Sequence, residues 1–223
     1  MVGTSGQIDA PFQARPQQAS VADIYRFEPV LGVALGVLAV PVIAVAGVVI
    51  SILSRRSPFI AHLRVGTGGS PLWMWKLRTM WPESRLPGSS WRLVERIAGA
   101  EIPGNDALTP DPRIRHWFPA FCRRHSIDEL PQLMHVVRGQ MSLVGPRPIT
   151  RGELDKYYGP EAKEVLRLRP GMTGLWQVNG RSSLTYRERL RMDLELVRNF
   201  SATLYFTLLL RTIPKLFSGA GAR

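Results

Sequence analysis

Residues 30–53 read VLGVALGVLAVPVIAVAGVVISIL, an uninterrupted run without a charged side chain. A helix rises about 1.5 Å per residue, so a run of this length matches a hydrocarbon core of about 30 Å. A helix inside a soluble core keeps a polar face, and this one has none. A cleavable leader would begin closer to the N-terminus behind a more basic region. The run therefore reads as a membrane anchor. Pro41 lies near its middle, where it removes one backbone donor and crowds the preceding turn, so a break is expected there. Two geometries follow. A kinked helix could cross the bilayer, or a helix-break-helix could enter and leave by the same face with arms of about 18 Å, too short to cross alone. Of the 29 basic residues, only Arg15 and Arg26 precede Ser54. That asymmetry assigns Arg55, Arg56 and the domain behind them to the cytoplasmic side.

The basic excess also limits what the domain binds. The formal charge is +12, and Arg outnumbers Lys by 25 to 4. Guanidinium groups grip phosphate in a bidentate fashion, so an anionic partner is expected: phosphorylated substrate, acidic lipid or nucleic acid. The single cysteine, Cys122, permits no intrachain disulfide and reads as a small buried hydrophobe. His62, His116, His125 and His135 have no zinc-ligand spacing with it.

Residues 1–22 are rich in Gly, Ser, Gln and Pro and read as a disordered tail, with residues 23–56 as the anchor. A compact domain follows over 57–217, and 218–223 form a short tail. Within the domain, glycines around 66–69 and aromatic runs through Trp75 predict a turn and then a short strand or extended segment. Helices are expected near Trp91–Ala98, over 113–140, over Arg151–Arg167, over Leu184–Phe200, and over Leu204–Phe217, the last lying in the membrane interface. The fold class is α+β, mainly α, with short strands and interface-lying amphipathic helices.

Four stretches carry possible chemistry. In Ser126-Ile127-Asp128-Glu129-Leu130-Pro131, Ser126 and Glu129 have the spacing of a capping box, and Asp128 would complement the helix dipole. The preceding Arg123, Arg124 and His125 favour a second reading, in which phosphates gather at two acids. An ionised carboxylate can attack there, and a neighbouring one can hold magnesium. Gly145-Pro146-Arg147-Pro148 is either a stiffened turn or a rigid loop presenting one Arg to phosphate or uridine. Pro170-Gly171-Met172-Thr173-Gly174 suits a turn with a glycine at positive φ, and Gln177, Asn179 and Arg181 after it either cap a helix or touch substrate. Lys76 and Arg78, flanked by tryptophans, are interface residues or a substrate-facing pair.

Taken together and in order, these motifs resemble the bacterial sugar transferase family, the small monotopic phosphoglycosyl transferases. The resemblance runs from about Ile24 to Ile213. It rests on Arg64-Val65-Gly66, Lys76-Leu77-Arg78-Thr79-Met80, Asp111-Pro112-Arg113-Ile114, Asp128 through Leu133, Met141 through Pro148, and Arg169 through Arg181. It implies that Asp128 attacks the β-phosphate of a UDP-sugar and expels UMP, and that Glu129 associates with Mg2+. It further implies that Arg123 and Arg147 lie near the phosphates and that polyprenyl (undecaprenyl) phosphate accepts the phosphosugar. Lys76, Arg78, Gln177, Asn179 and Arg181 are the remaining substrate-binding expectations. The family's anchor is re-entrant and broken at a proline, matched by Pro41, though Val40 stands where a Ser is usual. The implied setting is the cytoplasmic face of the bacterial inner membrane, among phospholipid, at the start of exopolysaccharide, capsule or O-antigen assembly. Homo-oligomers are compatible with this reading. A non-catalytic membrane scaffold is the runner-up. A nucleic-acid binder is disfavoured, since no recognition element accompanies the charge.

Overall fold

The computed structural model describes residues 18–81, 93–97, 114, 116–179 and 185–218. The first element, α1, runs unbroken through Gln18–Ser54 and contains both Pro29 and Pro41. The expected break at Pro41 therefore does not interrupt the helix. A proline deletes one hydrogen bond, and neighbouring turns packed on the domain hold the segment helical. The helix also begins inside the stretch read as a tail. Residues 1–17 and 219–223 lie outside the described residues.

Along α1 the buried positions include Ile24, Glu28, Gly32, Ala39, Ala46 and Ile50, a stripe at helical spacing. Between them Val30, Val33, Val37, Leu38, Val40, Val45, Val48 and Ile52 are exposed. The buried stripe rests on one and the same domain at both ends. Near the N-terminus Ile24 joins the main core with Met141, Val144 and Tyr205. Near the C-terminus Ala46 and Ile50 pack with Leu77 and Cys122. Gly32 makes the middle approach close, because a β-carbon there would lie 3.2–3.3 Å from Val136 and Val137.

Strands β1 (Phe59–Val65) and β2 (Pro71–Leu77) form an antiparallel hairpin about a tight turn in which Gly68 and Gly69 have positive φ. β3 (Val94–Ile97) pairs parallel with β1, giving the order β2-β1-β3. A helix was expected there, but Val94 and Ile97 find a sheet edge to pair with, and pairing overrides local propensity. Next come α2 (Trp117–Arg124), a 3-10 segment Ile127–Gln132 and α3 (Leu133–Val137). These replace the single helix expected over 113–140. Ser126, at φ 56, and Pro131 break it.

β4 (Ser142–Val144) lies parallel to β5 (Gly171–Thr173). Between them the helix expected over Arg151–Arg167 is cut into α4 (Arg151–Glu153), a wide turn Leu154–Tyr158, a 3-10 turn Gly159–Glu161 and α5 (Ala162–Val165). Gly159 at φ 48, followed by Pro160, cannot continue a helix. α6 (Leu175–Asn179), α7 (Tyr186–Arg198) and α8 (Ala202–Ser218) complete the fold. α7 begins at a capping box made by Thr185 and Glu188. α8 buries Tyr205 and Leu208 and exposes Phe206, Leu210, Ile213 and Phe217, as an amphipathic helix does.

Candidate active site

Asp128 sits in the 3-10 segment after α2 and is 6% exposed. The positive φ of Ser126 turns the chain sharply into that segment. The Ser126 hydroxyl makes no cap, so the capping-box reading of this stretch does not hold. The amide of Glu129 instead donates to the Ser126 carbonyl (3.1 Å). The Glu129 carboxylate accepts from Lys76 Nζ on β2 (2.9 Å). Lys76 thus pairs with Glu129 while also acting on the neighbouring Asp128.

Burial pushes the Asp128 carboxyl up to about 6; Lys76 and Arg123 pull against this, and Glu129 adds to it. Asp128, Glu129, Lys76 and Arg123 are therefore one electrostatic unit. Arg123 is directed by α2, and its Nη1 lies 3.2 Å from Met80 Sδ. Cys122 is fully buried, and burial first, then Asp128, raises its thiol to about 11, which fits an inert packing role. Arg78 takes a different place. Its guanidinium donates to the Ser57 carbonyl (2.8 Å) and to Glu95 (2.7 Å), so it pins β3 against the hairpin.

His135, not singled out in the sequence, supports this unit from behind. Its Nε2 accepts the Trp75 amide (3.2 Å) and its Nδ1 faces Gln140 Oε1 (2.7 Å). Burial lowers its pKa, so the ring stays neutral and keeps an acceptor for the strand residue preceding Lys76.

A second cluster gathers around Arg147. The loop that carries it is zipped to the segment after Pro170. The Gly171 amide donates to the Pro146 carbonyl (2.8 Å), and the Gly145 amide donates to the Thr173 carbonyl (2.9 Å). A β-carbon on Gly145 would strike the Arg169 carbonyl, and one on Gly171 would strike the Gly145 backbone. These glycines serve close approach, not the positive φ expected of the turn. Arg147 and Arg189 both lie over the Trp176 ring, at 5.0 and 5.1 Å. Asp193 is 1% exposed and accepts from the Tyr158 hydroxyl (3.0 Å); burial raises it to about 7, opposed by Tyr158, Arg147 and Arg189. Gln177 lies on α6 with its Oε1 buried, Asn179 is exposed at the end of α6, and Arg181 lies outside the described residues.

Of the expected site residues, then, Lys76, Arg123, Asp128 and Glu129 come together. Arg147 belongs to the second cluster, Gln177 lies on α6 with its Oε1 close to Gly174, and Arg78 lies with β3. Asp193 had a visible signal: it is an acid on the apolar stripe of Leu190, Leu194 and Val197.

Proteins of similar sequence match most of the chain. A UDP-galactose-lipid carrier transferase from Erwinia amylovora is 39% identical over 74% of the chain, although the match covers only 34% of that protein. The exopolysaccharide production protein ExoY of Rhizobium meliloti is 36% identical over 74% of the chain and 73% of its own length. The UDP-glucose:undecaprenyl-phosphate glucose-1-phosphate transferase of Caulobacter vibrioides is 35% identical over 82% of the chain and 66% of its length. The bacterial sugar transferase profile matches residues 24–219. The chain belongs to the bacterial sugar transferase family.

Proposed function

We propose that the chain is a phosphoglycosyl transferase that moves a sugar-1-phosphate from a UDP-sugar to polyprenyl phosphate, usually undecaprenyl phosphate, at the start of polysaccharide assembly. The observation that carries this reading is the buried Asp128 carboxylate, in the field of Lys76 and Arg123, on a turn whose Ile127 packs on the cluster that holds Ala46 and Ile50 of α1. A nucleophile for a soluble donor thus lies beside the apolar element a lipid acceptor would share.

In the first step an Asp128 oxygen attacks the β-phosphorus of the donor. The bond from that phosphorus to the bridging oxygen breaks, UMP departs with the oxygen, and an aspartyl phosphosugar remains. In the second step an oxygen of the lipid phosphate attacks the same phosphorus. The bond to Asp128 breaks, the carboxylate is restored, and a polyprenyl diphosphate sugar leaves. Arg123 and Lys76 neutralise phosphoryl charge as it shifts between oxygens. Burial leaves the carboxylate poorly hydrated and its partner cations correspondingly effective.

The family implies magnesium, and the residues present fit it. Among the described residues no group of three or more His, Cys, Asp or Glu is gathered. Magnesium at diphosphate sites is held by one or two carboxylates, with phosphate oxygens and water completing the shell. Glu129, whose side chain is 34% exposed, would be its protein ligand, with Asp128 adjacent. Bound there, the ion would offset the charge of the pyrophosphate.

Residues 23–56 serve in this proposal as the anchor and 57–217 as the catalytic domain. Because both ends of the unbroken α1 rest on that domain, α1 lies along the cytoplasmic face of the bilayer with its exposed valines toward the lipid, and does not cross it. The test is incubation of the purified chain with a panel of UDP-sugars, magnesium and polyprenyl phosphate. UMP release and a phosphosugar adduct on Asp128 are expected. No release from any donor would leave the scaffold reading in its place.

A further inference from the structure

The second cluster holds charges that the first does not use. Arg147, on the loop between β4 and α4, and Arg189, on α7, sit over one buried indole, that of Trp176 on α6. Arg189 also lies 5.2 Å from the Tyr186 ring. Among the described residues neither guanidinium has a carboxylate within ion-pair distance. The Asp193 oxygens face the Tyr158 hydroxyl and the Arg147 amide, and the Glu153 carboxylate caps Thr150 and pairs with Arg64. Arg189 Nε and Trp176 Nε1 are buried and take no hydrogen-bond partner there.

Two like charges on one ring repel, and buried donors without acceptors cost stability. Asp193 and Glu153 offset part of that charge without forming an ion pair with either guanidinium, and an anion with several oxygens would supply the acceptors that these donors lack. Aromatic faces and a proline-stiffened loop hold both guanidiniums ready, which lowers the ordering cost of binding. Neither arginine is among the groups that act on the Asp128 carboxyl, namely Lys76, Glu129 and Arg123. The two sets of cations thus act on different carboxyls, Lys76 and Arg123 on Asp128, and Arg147 and Arg189 on Asp193.

We propose that Arg189, with Arg147 and the Trp176 indole, forms a second phosphate seat, which grips a phosphate of one of the two substrates while Asp128 works on the other phosphorus. The proposal deepens the transferase reading and rests on it for the identity of the substrates. Phosphate chemistry is shared by the nucleotide and the lipid headgroup, so both are assayed.

The test measures affinity of the full chain in detergent for UMP and, separately, for a short-chain polyprenyl phosphate, in wild type and in Arg189→Ala. Removing one charge-assisted hydrogen bond to phosphate from a half-buried site predicts about tenfold weaker binding of one ligand. Weakening for UMP alone assigns the seat to the nucleotide, and weakening for the lipid alone assigns it to the headgroup. Arg187→Ala, an exposed neighbour on α7, removes the same charge and should bind both ligands as wild type does. Affinities within twofold of wild type in Arg189→Ala, or an equal weakening in Arg187→Ala, overturn the proposal. Should Arg189→Ala fail to fold, Arg189→Gln keeps the bulk and lacks the charge, with the same outcomes expected. A wild type that releases no UMP from any UDP-sugar yet binds inorganic phosphate through Arg189 would sink the transferase reading and leave the seat standing.

Discussion

At the scale of single residues, the burial of Asp128 makes two opposite demands. Attack needs the ionised carboxylate, and burial disfavours it. Because the carboxyl is raised to about 6, kcat/KM should fall about tenfold per pH unit below that value and level off above it. A pH–rate profile checks this. Folding responds in the other direction. Between the ordinary carboxylate range and about 6 the native chain binds more protons than the unfolded chain, so stability falls as pH rises through that window. Asp128→Asn should therefore abolish UMP release and adduct formation, yet raise Tm by a few degrees at pH 7.5. Lys76 keeps its pairing with Glu129 in that variant and limits the loss of favourable charge. Full turnover by Asp128→Asn would remove the nucleophile assignment.

At the scale of elements, the joint between α1 and the domain turns on Glu28. One carboxylate oxygen accepts from the Ser142 hydroxyl (2.5 Å), the Leu143 amide (2.8 Å) and the Tyr205 hydroxyl (2.9 Å). It thereby fastens α1 to β4 and α8 at once. Glu28→Ala leaves the buried Leu143 amide and Tyr205 hydroxyl without an acceptor, while the Ser142 hydroxyl can still donate to the Val144 carbonyl (2.8 Å), and the loss should cost about 2–4 kcal/mol. Thermal unfolding in detergent, with proteolysis of the α1 connection as a second probe, measures the loss. At the β4–β5 joint the backbones touch where Gly145 meets Gly171, so Gly171→Ala should yield little folded protein, read as soluble yield after gel filtration.

These joints also explain what was legible in the sequence. The apolar run, the turn near Gly68 with an extended segment after it, the amphipathic α7 and α8 and the Asp128–Glu129 pair are local patterns, and local patterns can be read. Glu28 was not legible as a clamp, because its partners lie more than a hundred residues away. Arg78 looked like a companion of Lys76, two residues away at the end of β2. Its partner Glu95 lies on a strand that the sequence suggested was a helix, so its pairing was hidden. His135 and Asp193 became informative only when the chain brought Trp75 and Tyr158 to them.

For the whole molecule, the disposition of α1 predicts topology. In a Cys122→Ser background, Arg26→Cys and Arg55→Cys place thiols at exposed positions flanking the apolar run. An impermeant maleimide applied to inside-out membrane vesicles should label both. Labelling of Arg55→Cys alone would mean that the helix crosses, against the shared seating of its two ends.

Ile127 packs on the same small cluster as Ala46 and Ile50 of α1, and on the proposed mechanism that closeness would set the kinetic regime of the second half-reaction. A carboxyl phosphate formed on the next residue, Asp128, would meet a lipid acceptor by lateral diffusion in a film, not by collision in a volume. Velocity should then follow the mole fraction of polyprenyl phosphate in the bilayer. Adding bare phospholipid at constant total acceptor should slow the enzyme by dilution within the surface alone.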